Sequence, residues 1–173
     1  MIVATKQQMK EAHAFAASLL SYAYSVADMQ IDTMMALVTG SVMFNGRGRD
    51  IDIVLGPVCL DDVLDNNKLT AIHDELVHTL GCTVTSHYGI IGEEPGDKGF
   101  KMHCYRKGIY NILLVDRGVE NWALAREVCE ALAKTLGPIS KRQRVAVHKV
   151  LVDGMDANEG AALTLRQVTE DYT

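Results

Sequence analysis

The chain has 173 residues, 48% of them hydrophobic and 23% charged, with a formal net charge of −5 at pH 7. That length suits one domain burying about two-thirds of the surface its unfolded form exposes. The acidic balance argues against a broad nucleic-acid-binding surface, and no apolar run is long enough to span a bilayer, so the sequence predicts a soluble, cytoplasmic protein with no membrane partner.

Residues 5–27 read as a long amphipathic helix, with Met9, Ala12, Phe15, Ala16, Leu19, Leu20, Ala23 and Val26 recurring at spacings of three and four. Residues 34–39 form a short apolar run bounded by Asp32 and Gly40, which predicts a buried strand ended by Gly40-Ser41. The linker that follows contains Asn45-Gly46-Arg47-Gly48-Arg49, whose glycines permit close backbone approach to a ligand while its arginines can face phosphate. Residues 50–55 are the next predicted strand, ended by Gly56-Pro57. Alternation along it puts Asp50 and Asp52 on one face and Ile51 and Ile53 on the other. Two carboxylates on one face repel each other, an arrangement that becomes favourable when a divalent cation sits between them.

Asp61, Asp62 and Asp65 lie on a polar stretch that reads as a solvated loop or helix approach, and the spacing of a calcium loop is absent. A second helix is predicted over residues 69–80, with Ile72, Leu76 and Leu80 as its stripe and Gly81 as a left-handed stop. His73 and His78, five apart, are expected at the surface. Residues 82–87 read as a strand, and residues 89–99, with four glycines and Pro95, as a loop able to act as a lid. Residues 100–106 and 109–116, joined through Lys107-Gly108, carry the strongest hairpin signal in the chain.

Two helices close the pattern. Residues 121–136 place Trp122, Ala125, Val128, Cys129, Leu132 and Leu136 on one side before Gly137-Pro138. Ser140 and Gln143 then make a capping-box pattern ahead of a helix whose start is strongly basic. The four cysteines, Cys59, Cys82, Cys104 and Cys129, are scattered in or beside apolar segments without a C-x-x-C pair, which predicts reduced core thiols and no disulfides. A zinc site from Cys82, His87, His103 and Cys104 lacks ligand spacing on a turn and is rejected. The element order predicts an α+β fold, a mixed β-sheet packed with helices.

Gly40-Ser41, a short loop and Asp50-Ile51-Asp52 flanked by apolar residues resemble the signature of the nucleotidyltransferases of the DNA polymerase beta superfamily, in particular its minimal members in bacteria and tailed phages. The resemblance covers residues 34–116. It implies that Gly40 and Ser41 hold the triphosphate of a nucleoside triphosphate, that Asp50 and Asp52 are catalytic carboxylates binding Mg²⁺ or Mn²⁺, and that residues 1–155 form one nucleotidyltransferase-like domain. Residues 156–173 are then a tail, either a short helix or partly disordered.

The sequence departs from the family pattern twice. Only eight residues separate Ser41 from Asp50, room for about one helical turn at ~1.5 Å rise per residue. The position that matches the family's third carboxylate is Asn111, which can offer a carbonyl to a cation or bond a water but cannot deprotonate a hydroxyl. Asp116, on the opposite face by alternation, reads as a turn residue.

Lys141, Arg142, Arg144 and Lys149 cluster toward a helix start, where the dipole disfavours cations, so a phosphate ligand would give them a rationale. Together with Arg47, Arg49, Lys98, Lys101 and Arg106 they are candidates for holding a nucleotide or an RNA end, with a solvated basic face as the plain alternative. Two readings follow from the resemblance. One is a metal-dependent transferase moving a nucleoside monophosphate from a nucleoside triphosphate to a hydroxyl or phosphate acceptor, on RNA or a protein among others. The other is a catalytically degenerate module that binds nucleotide, RNA or protein. An unrelated α+β protein is the third reading.

Overall fold

A computed structural model describes residues 1–28, 33–59, 62–88, 102–116 and 118–151. The expected lid over residues 89–99, Lys98, Lys101 and the tail over residues 156–173 lie outside the described residues.

The chain runs β1 (Ile2–Val3), α1 (Lys6–Ala27), β2 (Met34–Thr39), α2 (Ser41–Asn45), β3 (Arg47–Gly48), β4 (Ile51–Pro57), α3 (Asn66–Asp74), a π-helical turn (Glu75–Thr79), β5 (Thr83–Tyr88), β6 (Met102–Lys107), β7 (Tyr110–Val115), α4 (Glu120–Leu136) and α5 (Lys141–Leu151). Five strands form one sheet in the order β2-β4-β7-β6-β5. Of these neighbours β4 and β7 pair in parallel and the others are antiparallel, so the sheet is mixed and the fold is α+β, as expected. A small ribbon of β1 and β3 pins the amino terminus beside the loop that precedes β4.

Alternation along the strands sorts the side chains into two cores. Val38, Ile51, Ile53, Leu55, Ile112 and Leu114 face α1 and α3, where they meet Ala12, Ala16, Leu19, Leu69 and Ile72. The opposite face carries Leu37, Val54 and Val115 against Val119 and Trp122 at the start of α4. A third cluster of Phe44, Ala125, Cys129, Ile139 and Val147 joins α2 to α4 and α5. Three layers result, helices on both sides of the sheet.

The local signals hold at most helix ends. Thr5 Oγ1 accepts from the Gln8 amide at 3.0 Å and Asp65 Oδ1 from the Lys68 amide at 2.9 Å. The capping box at α5 closes in both directions, the Gln143 amide donating to Ser140 Oγ at 3.2 Å and the Ser140 amide to Gln143 Oε1 at 2.7 Å. Strand β2 is an edge, and two side chains cover its free backbone groups: the Tyr24 hydroxyl bonds both the amide and the carbonyl of Met34 at 3.0 Å, and Arg126 Nη1 donates to the Val38 carbonyl at 3.2 Å.

Several expectations need correction. Strand β4 begins at Ile51, leaving Asp50 in the bend before it, and Gly56-Pro57 lies inside the strand, Pro57 opposite Met34. Pro57 is tolerated because β4 pairs with β7 only as far as Leu55 and Leu114, so its missing N–H interrupts no ladder there. Gly56 is required by close packing: a Cβ would stand 2.6 Å from Val115 Cγ2 and 2.9 Å from Val119 Cγ2. The predicted helix over residues 69–80 changes to a π-turn at Glu75, with the Leu80 amide bonding the Glu75 carbonyl at 3.0 Å. His73 is half-buried rather than fully at the surface, its Nδ1 lying 2.6 Å from the hydroxyl of fully buried Tyr105. Cys59 is exposed, whereas Cys82, Cys104 and Cys129 are buried. Asp116 lies in the bend after β7, the turn position expected, but it is buried, and its carbonyl accepts from the Leu64 amide at 2.8 Å. Among the described residues no helix is long and apolar enough to cross a membrane.

Candidate functional site

The β2–α2 turn and the start of β4 are brought together by pairing. Thr39 stands opposite Asp52 in the antiparallel register, and Asn111 stands opposite Asp52 on the parallel side. All three therefore share the face that α4 and α5 cover.

Gly40 caps α2 with φ +90°, a backbone conformation that side chains rarely adopt, and its carbonyl accepts from the amides of Met43 and Phe44 at 3.0 and 3.1 Å. The carboxylate of Asp52 occupies the place where a Cβ on Gly40 would be. No other residue type leaves that space, so Gly40 is fixed by the acid beside it. Ser41 opens α2 and places its Oγ over Gly48, where a Cβ would overlap it. Asn45, at the other end of α2, donates from Nδ2 to the Ile139 carbonyl at 2.9 Å and accepts at Oδ1 from the Ile139 amide at 2.8 Å, tying the turn to the α4–α5 connection.

Asp52 is partly buried and accepts at Oδ1 from Asn111 Nδ2 at 3.0 Å. Burial raises its pKa from 3.8 to about 6; the Asn111 bond opposes the rise, the neighbouring Asp50 adds to it, and Arg144 and Arg106 lower it. Asp50 sits in the bend just ahead of the strand, more open to solvent, and forms an ion pair with Arg106 Nη1 at 3.1 Å. The two acids thus sit in unlike settings.

Asp52 and Asn111 open into a cleft of about 170 Å³. Thr39, Gly40 and Arg144 line it with them. Its remaining walls are Phe44, Val54 and Leu113, with Trp122 and His148 from α4 and α5. Those two rings pack edge to face at 5.4 Å, and His148 Nδ1–H donates to the Arg144 carbonyl at 2.7 Å. The basic residues expected around the site divide. Arg144 lines the cleft; Lys141 and Arg142 are exposed at the start of α5; Arg47 and Arg49 are exposed and outside the cleft's lining. Arg106 reaches the site through Asp50 rather than through the cleft.

Thr39, Phe44, Trp122 and His148 were not legible as cleft residues. Trp122 reads as one member of a buried helix stripe, and no spacing in α5 announces that Arg144 and His148, four apart, turn toward β4.

Among the described residues no three acidic, histidine or cysteine side chains gather, so a cation here has Asp50, Asp52 and the amide of Asn111 to draw on. That donor set fits one hard cation. Mg²⁺ is ordinarily held by one or two carboxylates plus substrate phosphates, and a cation would favour the charged form of Asp52, whose pKa is raised chiefly by burial.

No protein-family profile and no curated protein matches the chain. Solved structures do match. The chain aligns over 86% of its length with a cytoplasmic RNA terminal U-transferase at 12% identity and a TM-score of 0.47, with Cid1 bound to the UTP analog UMPNPP at 12% and 0.46, and with the GLD-2/RNP-8 complex at 16% and 0.41. It spans 40%, 39% and 61% of those chains respectively. Likeness at these TM-scores carries no weight for function.

Proposed function

We propose that this protein is a nucleotidyltransferase-like enzyme of the cytoplasm that transfers a nucleoside monophosphate from a nucleoside triphosphate to a hydroxyl or phosphate acceptor, breaking the α–β phosphoanhydride bond and releasing pyrophosphate, with Mg²⁺ or Mn²⁺ at Asp50 and Asp52. The observation that supports this best is Asp52 itself: a partly buried carboxylate with a raised pKa, fitted against the Gly40 turn and opening into a cleft.

A bound divalent cation would supply neutralisation of the phosphate charge. The chain's own residues do the rest. Gly40, lacking a Cβ, leaves the room that the Asp52 carboxylate fills, and Ser41 would add a hydroxyl donor for the triphosphate at the start of α2. Asn111 holds one oxygen of Asp52 and leaves Oδ2 free of that bond, and Arg106 fixes Asp50 from outside the cleft. With an asparagine at the third position there is no carboxylate to take a proton from the acceptor. An acceptor that arrives already ionised, such as a terminal phosphate, suits this site better than a neutral hydroxyl.

Incubation with each α-labelled nucleoside triphosphate, Mg²⁺ or Mn²⁺ and a cell extract tests the reading. Label transfer by the wild type and none by Asp50→Ala/Asp52→Ala is the expected result. No labelled product with any nucleotide removes the transferase; nucleotide binding that persists without product leaves the degenerate binding module instead.

A further inference from the structure

On the face of the sheet turned away from the cleft, α3 and β6 bring two histidines together. His73 and His103 are both half-buried, and their rings stand 6.2 Å apart, centroid to centroid, with 64° between their planes. An apolar pair would pack between helix and sheet with no polar atoms to satisfy, so two imidazoles here call for a reason. His103 shares its side of β6 with Tyr105, which is fully buried in the core under α1 and α3, whereas Cys104 between them faces the other layer by alternation.

The His73 ring is held through one nitrogen. Its Nδ1 lies 2.6 Å from the Tyr105 hydroxyl, which leaves Nε2 on the far side of the ring from that bond. Burial pushes the Tyr105 hydroxyl above its ordinary pKa, so the oxygen stays neutral and able to accept from an Nδ1–H. A histidine that ligates a metal through one nitrogen almost always donates from the other to a neighbouring oxygen, which fixes both its tautomer and its orientation. At an N–metal distance of ~2.0 Å, two imidazoles on one tetrahedral ion have centroids ~5 Å apart, so a closure of about 1 Å turns this pair into ligands.

The backbone is irregular on both sides of the pair. Helix α3 widens into the π-helical turn at Glu75, two residues after His73, and β5 shifts register between Val84 and Ser86, opposite Tyr105 and Cys104. Each gives up regular backbone pairing, and both kinds of irregularity concentrate at functional sites.

We propose that His73 and His103 bind a divalent transition-metal ion of the class that imidazole favours, tying α3 to β6, with Tyr105 as the residue that positions His73. The site lies across the sheet from Asp52 and takes a softer ion than the oxygen donors there, because carboxylate suits Mg²⁺ and imidazole suits Zn²⁺, Cu²⁺ and Ni²⁺. It stands or falls apart from the transferase reading.

Zn²⁺ is the probe. It is titrated into the full chain carrying Cys59→Ser, which removes the exposed thiol, and Asp50→Ala/Asp52→Ala, which removes the proposed cleft cation site. Binding is read by competition with a chromophoric chelator and by Tm. One equivalent is expected to bind saturably and to raise Tm, and Mg²⁺ in the same protein is expected to do neither. His103→Ala and the closer-shaped His103→Gln, each added to that background, should abolish both responses. Tyr105→Phe keeps the ring in the core and removes the hydroxyl, and should weaken Zn²⁺ by about ten- to a hundredfold with one equivalent still bound. No one-equivalent binding in the starting protein, or equal Zn²⁺ affinity in a folded His103 variant, overturns the site, and equal affinity in Tyr105→Phe overturns the role given to its hydroxyl.

Discussion

The substitution Asp52→Asn should stabilise the fold and abolish transfer. In the unfolded chain the carboxyl titrates near 3.8, and in the fold near 6. Between those values the folded state holds a proton that the unfolded state has released, so stability falls as pH rises through that window, and the full penalty is present above it. At ~1.4 kcal/mol per pKa unit the shift corresponds to at most ~3 kcal/mol at neutral pH, and solvent reaching the partly exposed carboxylate reduces this to about 2 kcal/mol. The side-chain amide of the variant would keep an oxygen for the Asn111 donor bond without the charge. The substitution should therefore raise Tm by roughly 4–8 °C at pH 7.5 for a chain of this size, and by much less at pH 4, where the wild-type carboxyl is already largely protonated in the fold. Millimolar Mg²⁺ should raise the wild-type Tm and leave the variant unmoved, since a ligand that binds only the native state stabilises it. Thermal melts followed by far-ultraviolet circular dichroism at both pH values read all of this. A Tm at pH 7.5 equal to or below wild type, or an equal gain at pH 4, would refute the account of Asp52 as a buried, undercompensated charge.

Gly40→Ala introduces a methyl where the Asp52 carboxylate lies and forces φ +90° on alanine, so it should lower stability by ~2 kcal/mol or more. In urea denaturation that loss should shrink in the Asp52→Ala background; equal losses in both would mean that the turn is strained for a reason other than the acid. Ser140→Ala removes one arm of the closed capping box and should lower stability by ~1 kcal/mol, and a change within ~0.3 kcal/mol would show that Gln143 alone holds the start of α5.

What was legible in the sequence was whatever a single local rule decides. Period and caps placed α1, α4 and α5, and the Lys107-Gly108 turn set the β6–β7 hairpin in register, whereas Asn111 came to Asp52 only through the family resemblance. Gly56-Pro57 misled because the local rule ends a strand there, while packing of Val115 and Val119 against Gly56 carries it on. His73 misled because its partner, Tyr105, is 32 residues away.

The cleft was invisible for the same reason on a larger scale. Its two sides are set by how α4 and α5 lie across the sheet, and Asn45, bonded to Ile139, helps to fix that angle from a third element. No pattern within α5 distinguishes an Arg144 that faces solvent from one that faces Asp52. Strand β4 supplies the counterpoint. Along the face that α4 and α5 cover, Asp52 is followed by fully buried Val54, and Thr39 and Leu113 flank the same layer. Packing alone would place an apolar residue at position 52, and the carboxylate there lies against Gly40, whose φ of +90° itself calls for glycine. The departure from the stable choice is that carboxylate, which is why the proposed chemistry is assigned to Asp52 before any other residue.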